Sequence, residues 1–278
     1  MKFLIVGNGY LGNRFLAYLS QSGEETVMSQ VDATDYGALK QELQAINPDV
    51  LINCAGITGK PNIDWCEEHK METMIGNVFL PLNIARVAQE LGLYWAHIGS
   101  GCIYEGDNNG RGFTEEDTPN FTGSFYSKTK LLSEQMLKEF PVLILRLRIP
   151  LDTAPSPKNL INKLVNYKTV IEVDNSITVV PEFVATATRM IQDRRTGIYN
   201  MTNPGVLRYS TLLNLYKETV DPSFEFTTIT LDELAQKTKT GRSNCVLDCT
   251  KREAEGYSMK PIEEALPEIL QAYKAALV

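Results

Sequence analysis

The stretch KFLIVGNGYLGNRFLAYL, residues 2–19, has the pattern of a buried strand, a glycine-rich turn and an amphipathic helix. The apolar run Phe3–Val6 predicts the strand, and three glycines follow it in GxGxxG spacing. In this setting Gly7 makes the tight turn, Gly9 lets the backbone approach a pyrophosphate, and Gly12 lets helix and strand pack closely. The helix N-terminus favours the negative charge of the pyrophosphate. The stretch therefore predicts a dinucleotide-binding turn, against the alternative of a glycine turn without a ligand.

Further apolar runs and helical periods continue this pattern along the chain. Besides Phe3–Val6, the predicted strands are Thr26–Ser29, Val50–Asn53, Tyr94–Ile98 and Val142–Leu147, and the predicted helices cover residues 10–21, 36–46, 70–91 and 126–139. Buried strands that alternate with helices predict an α/β protein with a Rossmann-type, doubly wound parallel sheet.

The pattern changes after Pro150. PLDTAPSPKN, residues 150–159, predicts a loop, and the later segments are shorter and more mixed. Strands near Val170–Val173 and Ile198–Met201, with a helix from Pro181, could return to the sheet. We therefore predict a dinucleotide-binding domain of residues 1–150 plus roughly 170–202. A smaller, discontinuous substrate-binding lobe would comprise residues 151–169 and 203–278.

Composition narrows the class of protein. The 278 residues, 43% of them hydrophobic, suffice for one large domain or for a large and a small one. A net charge of −7 argues against a nucleic-acid polymer or an anionic membrane as partner. No apolar run approaches the roughly 20 residues of a membrane span and no signal peptide is evident, so we expect a cytoplasmic protein. Five cysteines without CxxC spacing and two histidines predict neither disulfides nor a metal site.

Two short segments carry the candidate chemistry: HIGSGCIYEGD, residues 97–107, and FYSKTK, residues 125–130. Tyr126 and Lys130 are four apart and share one face of a helix, where an ammonium favours the phenolate of the tyrosine. Such a tyrosine can give a proton to a ketone. Ser100 and Cys102 are two apart after the run Tyr94–Ile98, so on a continued strand they face the same side. The segments predict a hydride-transfer triad of Ser100, Tyr126 and Lys130 beside a thiol, although a small buried cysteine is the alternative for Cys102.

Seven collinear segments resemble one known family. They are NCAGITGKPNIDWCEEHK (53–70), GSGCIY (99–104), EEDTPNFTGSFYSKTK (115–130), LRLRIP (145–150), NLINKL (159–164), MTNPGV (201–206) and DPSF (221–224). The chain resembles the extended short-chain dehydrogenases/reductases and, within them, the nucleotide-rhamnose synthase/epimerase-reductase family over nearly its whole length. The resemblance implies 3,5-epimerisation of a UDP- or dTDP-linked 4-keto-6-deoxyglucose, followed by reduction of its C4 ketone with NADPH.

The resemblance also implies roles for individual residues. Inversion needs a base on one face of the sugar ring and an acid on the other. Cys102 and Lys163 are the implied pair, with the order open and a solvated lysine as the alternative for Lys163. The implied cofactor contacts are Gly7, Asn8, Gly9, Tyr10, Leu11, Gly12, Asp32, Ala33, Cys54, Ala55, Gly56, Tyr126 and Lys130. The implied substrate contacts are Thr58, Ser100, Gly101, Cys102, Asn159, Lys163 and Arg242.

Several of these assignments have alternatives. The family's plant members have one more residue in the glycine turn, which leaves the phosphate contact of Asn8 open. Arg242 is either a grip on the substrate diphosphate or a surface arginine. Ser29, at the tip of the second strand, offers no carboxylate to a ribose hydroxyl, which favours NADPH. If that strand runs on to Val31, Asp32 becomes the ribose carboxylate and NADH is favoured.

Expected partners and rival functions complete the interpretation. We expect a homodimer through the helices at 70–91 and 126–139, with Met71, Met74, Val78 and Leu82 as core or dimer contacts, and a separate 4,6-dehydratase upstream. His69 and His97 are interpreted as structural. A reductase resembling dTDP-4-dehydrorhamnose reductase would not use Cys102. A GDP-fucose-synthase-like enzyme would carry a histidine in the region of Lys163. A non-catalytic nucleotide-binding regulatory subunit would not need the triad.

Overall fold

A computed structural model describes residues 1–277 of the chain. Its strands are β1 (Lys2–Val6), β2 (Glu25–Met28), β3 (Val50–Asn53), β4 (Tyr94–Ser100), β5 (Leu143–Leu147), β6 (Pro150–Leu151), β7 (Thr169–Ile171), β8 (Thr178–Val179), β9 (Gly197–Asn200) and β10 (Thr227–Ile229). The helices are α1 (Tyr10–Gln21), α2 (Tyr36–Ile46), α3 (Trp65–Glu68), α4 (Lys70–Met74), α5 (Leu80–Leu91), α6 (Phe125–Leu137), α7 (Leu160–Tyr167), α8 (Val180–Gln192), α9 (Tyr209–Thr219), α10 (Leu231–Lys237), α11 (Thr250–Ala254) and α12 (Ile262–Ala275). A π-helical segment, Ile75–Phe79, joins α4 to α5.

The main sheet has six parallel strands in the order β2-β1-β3-β4-β5-β9. Val50, Leu51 and Ile52 of β3 have no exposed surface, as expected for a central strand covered on both faces. The strand order reverses between β1 and β3, and in such sheets ligands bind at the carboxyl ends beside this point. The predicted Rossmann-type α/β fold is confirmed.

Three large apolar clusters hold most of the chain together. One packs α1 and α8 on one face of the sheet, around Phe3, Phe15 and Phe183. A second covers the other face through side chains of α2 and α5, such as Leu39 and Ile84. The third lies outside the sheet and joins segments between residues 151 and 179, 207 and 224, and 262 and 273. Among residues 1–277, no helix combines the length and the apolar character that crossing a membrane requires.

The second half of the chain differs in part from the prediction. β9 pairs with β5, and α8 packs on α1, so the strand near Ile198–Met201 and the helix from Pro181 do return to the sheet. The strand near Val170–Val173 does not: β7 pairs with β10 in a separate two-stranded sheet. Tyr257 and Met259, assigned to the lobe, pack in the cluster beneath the main sheet. A short apolar run indicates burial, but it does not indicate which strand becomes its partner.

The helix predicted over 70–91 has those outer bounds in the structure, but it contains a π-helical segment that was not predicted. Asn77 lies in this segment and is buried. Its side chain accepts a hydrogen bond from the Ile57 N–H at 2.7 Å and donates to the Ile57 carbonyl at 2.9 Å and to Thr129 Oγ1 at 3.1 Å. These bonds fix the loop that follows β3. A π turn inside a helix frequently marks a functional region.

Candidate active site

A cavity of about 780 Å³ opens at the carboxyl ends of the central strands, between the sheet and the later segments of the chain. The predicted site residues that line it are Gly9, Tyr10, Leu11, Cys54, Ala55, Gly56, Thr58, Ser100, Cys102, Tyr126, Lys130, Lys163 and Arg242. The predicted residues outside its wall are Gly7, Asn8, Gly12, Asp32, Ala33, Gly101 and Asn159. The structure thus brings both catalytic segments and the glycine turn to one cavity.

The three glycines of the turn have different surroundings. Gly7 has φ +103°, and a Cβ there would lie 2.5 Å from the Ala55 nitrogen. A Cβ on Gly12 would lie 2.0 Å from the Gly7 carbonyl oxygen, whereas one on Gly9 would meet nothing within 4 Å. The open space at Gly9 lies at the start of α1, whose first turn has no acidic side chain and no side-chain cap. This cradle fits the pyrophosphate of a dinucleotide.

The residues beyond β2 are arranged differently from the expectation. β2 ends at Met28, so Asp32 does not follow the strand directly; its Oδ1 accepts from the backbone N–H and the hydroxyl of Thr34. Ser29 does have a carboxylate beside it, because Glu42 of α2 accepts from the Ser29 hydroxyl at 2.6 Å. Ala33 is packed in the core and only its carbonyl makes a polar contact, with the Asn83 side chain. The exposed Asn8 side chain accepts from the Asn13 amide at 3.0 Å.

Ser100, Cys102 and Tyr126 meet at one end of the cavity. Ser100 ends β4, and Tyr126 lies in the first turn of α6, where its hydroxyl donates to Ser100 Oγ at 3.4 Å. Cys102 lies in the turn after the strand, and not on a continued strand as expected; its backbone N–H donates to Ser100 Oγ at 3.2 Å. Because Ser100 Oγ accepts both bonds, its own proton is free for a bound oxygen atom.

The Tyr126 phenol is held in its protonated form. Burial, and then the nearby Cys102, raise the pKa of Tyr126 well above its ordinary value. The expectation that the ammonium of Lys130 favours the phenolate is wrong in this structure, because the Lys130 Nζ is directed at the Ile98 carbonyl oxygen, 3.0 Å away. At neutral pH the phenol therefore carries a proton that it can donate.

Lys130 faces a buried histidine whose tautomer the hydrogen bonds determine. Ala55 N–H donates to Asn53 Oδ1 at 3.0 Å, which makes the other amide atom, Nδ2, the donor toward His97 Nδ1, also at 3.0 Å. Neutral His97 then carries its proton on Nε2, 3.4 Å from Lys130 Nζ. Burial, followed by the charge of Lys130, holds the pKa of His97 well below its usual value. Burial also lowers the pKa of Lys130 to about 8.

Lys163 reaches the cavity from α7. Asn159 caps this helix: its Oδ1 accepts from the Ile161 N–H at 3.2 Å, and its amide donates to the carbonyls of Asp152 and Ala154. Asn159 is fully buried in these bonds, so the predicted substrate contact is replaced by a role in positioning the helix. Burial lowers the pKa of Lys163, the charge of Lys158 lowers it further, and Cys102 opposes the shift.

Two other predicted substrate contacts are engaged within the protein. Both terminal nitrogens of Arg242 bind Asp64, at 2.8 and 2.9 Å, so a diphosphate would have to compete with this carboxylate. Gly101 lies behind the cavity wall, where its N–H donates to the Leu147 carbonyl and an added Cβ would lie 2.6 Å from Leu247 Cδ1. This tight packing accounts for a glycine here.

Comparison with known proteins identifies the family. The profile of the RmlD substrate binding domain matches residues 1–275. The chain belongs to this family. It is 39% identical to a bifunctional dTDP-4-dehydrorhamnose 3,5-epimerase/dTDP-4-dehydrorhamnose reductase of Arabidopsis thaliana, over 95% of this chain and 91% of that protein. It is also 39% identical to a trifunctional UDP-glucose 4,6-dehydratase/UDP-4-keto-6-deoxy-D-glucose 3,5-epimerase/UDP-4-keto-L-rhamnose-reductase of the same plant, over 96% of this chain and 41% of that protein. Among solved structures, a UDP-rhamnose synthase from Acanthamoeba polyphaga mimivirus has a TM-score of 0.94 and 31% identity, with 98% and 99% of the two chains covered.

In this member of the RmlD substrate binding domain family, sequence reasoning missed three cavity residues. Lys158 donates to Thr58 Oγ1 at 2.6 Å, and burial, then the charge of Lys60, lower its pKa. Asn77 secures the loop after β3, and Arg148 is buried directly behind Cys102. Arg148 was detectable as a second arginine in LRLRIP, an otherwise apolar run, since a charged residue at a buried position needs a partner or a function.

Proposed function

We propose that this protein epimerises C3 and C5 of a UDP- or dTDP-linked 4-keto-6-deoxyglucose and then reduces the C4 ketone with NADPH to give the nucleotide-linked L-rhamnose. One observation carries the proposal: a single cavity wall presents the triad of Ser100, Tyr126 and Lys130 together with Cys102 and Lys163. The Arabidopsis relative is named as both an epimerase and a reductase, which supports the proposal.

The triad accounts for the reduction. A bound nicotinamide cofactor supplies the hydride, and the open space at Gly9 would accommodate its pyrophosphate. Tyr126 gives its proton to the ketone oxygen as the alkoxide develops, and the free proton of Ser100 supplies a second hydrogen bond. Lys130 lies one helical turn beyond Tyr126 and lines the same cavity, where it would contact the bound cofactor.

The same oxygen position serves epimerisation. Removal of a proton next to the ketone gives an enolate, whose oxygen needs the donors that Tyr126 and Ser100 already provide. Inversion further needs one group on each face of the sugar ring. Cys102 comes from the turn after β4 and Lys163 from α7, so a thiol and an amine enter the cavity from different elements. A reductase alone would need neither group.

NADPH is the hydride donor that we propose, with NADH as the alternative. β2 ends at Met28 and does not run on to Val31, and Asp32 is exposed and bonded to Thr34, which supports NADPH over NADH. Glu42 is the carboxylate beside the tip of β2, and its oxygens are engaged by Ser29 and by the Gln30 N–H. Steady-state rates with the two cofactors separate these alternatives directly.

Incubation in deuterated water with UDP- and dTDP-linked 4-keto-6-deoxyglucose and NADPH tests the proposed function. We expect oxidation of NADPH, a product sugar of L-rhamnose configuration by NMR, and deuterium at C3 and C5. The nucleotide that is turned over faster identifies the substrate. Reduction without deuterium incorporation would leave a simple 4-ketoreductase, and no oxidation of NADPH with either nucleotide contradicts the proposal as a whole.

Single substitutions separate the two activities. Cys102→Ala or Lys163→Ala is expected to stop deuterium exchange at C3, C5 or both, because the enolate cannot be formed or reprotonated on the required face. Each variant should still reduce an already epimerised 4-keto-rhamnose nucleotide at a rate within about tenfold of the unaltered protein. Cys249→Ala is the matched control, because this buried thiol is bonded to Thr202 and lies outside the cavity wall. Full exchange in both active-site variants contradicts the epimerase half of the proposal.

Two partners belong to the proposal. A 4-keto-6-deoxy sugar arises from a nucleotide-linked glucose when C4 is oxidised, water is lost across C5 and C6, and the hydride from C4 is returned to C6, so a 4,6-dehydratase activity must act first. We also propose a homodimer formed through the helical region 70–91 and α6. Met71, with 58% of its surface exposed, and Phe79, with 49%, lie on the first element, whereas Val78 is a core residue. Such exposed apolar side chains typically mark interaction sites.

A further inference from the structure

Arg148 is a buried cation in direct contact with the Cys102 side chain. It follows β5 and is 1% exposed. One terminal nitrogen donates to Cys102 Sγ at 3.4 Å and to Ser243 Oγ at 3.0 Å. The other donates to the Ser243 carbonyl at 2.7 Å and to Asn175 Oδ1. Apart from the sulfur of Cys102, every one of these acceptors is neutral.

Within residues 1–277, no carboxylate lies in ion-pair distance of Arg148. Its neighbour on the strand shows the usual arrangement: Arg146, 2% exposed, binds both oxygens of Glu134 at 2.7 and 2.8 Å. Burying an unpaired charge is strongly unfavourable, so buried arginines normally have an anionic partner. Arg148 therefore requires an anion that the carboxylates of the fold do not provide.

Two sulfur atoms could supply that anion. Cys245 is buried and its thiol donates to the Gly101 carbonyl at 3.4 Å, which requires a proton on the sulfur. Burial raises the pKa of Cys245. Cys102, in contrast, lines the cavity, and its sulfur is the acceptor of the Arg148 bond. A thiolate accepts such a bond far better than a thiol does.

We propose that Arg148 is the counter-ion of a Cys102 thiolate and thereby positions this sulfur for epimerisation, an inference that rests on the proposed function. In each inversion a C–H bond next to the ketone breaks, an S–H bond forms on Cys102, and the electron pair enters the enolate. A proton from the Lys163 ammonium then forms the new C–H bond on the opposite face. Solvent returns a proton to Lys163 and removes one from Cys102. Arg148 also lines the cavity, but in this scheme it is a positioning residue that acts through the sulfur.

The first test needs no Arg148 variant. Thiolates absorb in the ultraviolet and thiols do not, so the difference spectrum between the unaltered protein and Cys102→Ala reports the charge on this sulfur. We expect the thiolate band at neutral pH, because the Arg148 guanidinium lies against this sulfur. Absence of the band at neutral pH overturns the proposal.

The second test removes the charge. Arg148→Met, with Arg148→Gln as a second neutral variant, is expected to lower the rate of Cys102 alkylation by iodoacetamide at neutral pH by about tenfold or more, since the thiolate is the nucleophile. The ratio of deuterium exchange to ketone reduction should fall with it. Arg148→Lys keeps the charge and should restore most of the alkylation rate. Ser243→Ala removes one neutral partner of Arg148 and should leave that rate near its original value.

The outcomes distinguish this inference from the proposed function. A folded neutral variant, verified by circular dichroism, that is alkylated as fast as the unaltered protein overturns the role of Arg148. In that case deuterium exchange by the unaltered protein still supports the epimerase. Conversely, a thiolate that depends on Arg148 in a protein without deuterium exchange supports the counter-ion pair and contradicts the proposed epimerisation.

Discussion

Burial makes the charged form of Lys130 unfavourable in the folded protein. Its side chain is 7% exposed, and its polar contacts are the Ile98 carbonyl and His97. Burial lowers the pKa of Lys130 from 10.5 to about 8. Between these two values the unfolded chain binds more protons than the folded protein, so the free energy of unfolding rises with pH in this window. Below this pH window, the buried charge of Lys130 lowers the free energy of unfolding by its full amount.

Lys130→Met tests this linkage. The free energy of unfolding of the unaltered protein, relative to that of the variant, should increase by about 2 kcal/mol between about pH 7 and about pH 9.5. Urea denaturation at the two pH values measures it. Lys128→Met, which removes an exposed lysine from the same helix, is the control and should show no such change. Parallel pH dependence of Lys130→Met and the unaltered protein contradicts a buried charge at this position.

Tyr126 is the residue on which reduction depends. Tyr126→Phe keeps the ring in place but removes the proton that the ketone needs, so NADPH oxidation should be abolished while NADPH binding stays nearly unchanged. Calorimetry for binding and absorbance for turnover measure the two effects. Tyr94→Phe is the control, because its hydroxyl donates to the Arg195 carbonyl, remote from the cavity. Near-normal turnover of Tyr126→Phe contradicts the triad assignment.

At the scale of elements, different glycines of the turn serve packing and ligand binding. Gly9→Val should weaken NADPH binding by well over tenfold, about 1.4 kcal/mol or more, because the side chain fills the cradle. It should leave the free energy of unfolding nearly unchanged, since nothing lies within 4 Å of an added Cβ. Gly7→Ala is the contrasting variant: its φ of +103° and its contact with Ala55 predict a less stable protein. Normal NADPH binding by a folded Gly9→Val protein would show that the turn has another role.

Elements with a local signal were predictable from the sequence, and those fixed by distant contacts were not. The helix predicted over 10–21 has those bounds in the structure, because the glycine turn defines its start. The helix predicted over 70–91 has those outer bounds as well, but its π turn has no local signal, because Asn77 in this turn bonds to Ile57, 20 residues away. The strand predicted near Val170–Val173 lies in a separate sheet for the same reason: hydrophobicity indicates that a strand is buried but not which strand it pairs with.

At the scale of the whole molecule, the site combines residues that a local sequence motif identifies with residues whose role depends on distant contacts. The residues Ser100, Cys102, Tyr126 and Lys130 come from two short motifs whose spacing is visible in the sequence, and the cavity brings them together. The role proposed for Arg148 instead depends on distant contacts. Arg148 bonds to Ser243, 95 residues away, and no carboxylate lies near it in the described part of the chain. Asn159 is the reverse case. The resemblance implies a substrate contact, but in the folded loop its amide is fully engaged by backbone carbonyls.

The proposed homodimer rests on side chains that the single chain leaves exposed. Met71, Ile75 and Phe79 are spaced four apart along one helical region, and Leu132 and Met136 repeat the spacing on α6, which packs against it. These five side chains are between 38% and 58% exposed, so a second copy of the chain would bury a continuous apolar surface.

Phe79→Glu and Met136→Glu should therefore convert a homodimer into a monomer, because each places a charge in the centre of the paired surface. Sedimentation velocity at micromolar concentration measures the mass. Leu231→Glu is the matched control: this leucine is 47% exposed at the start of α10, outside the proposed interface, and its replacement should leave the dimer intact. The monomeric variants should retain ketone reduction, since none of the five side chains lines the cavity. A monomeric unaltered protein, or a Phe79→Glu protein that still sediments as a dimer, contradicts pairing through these helices.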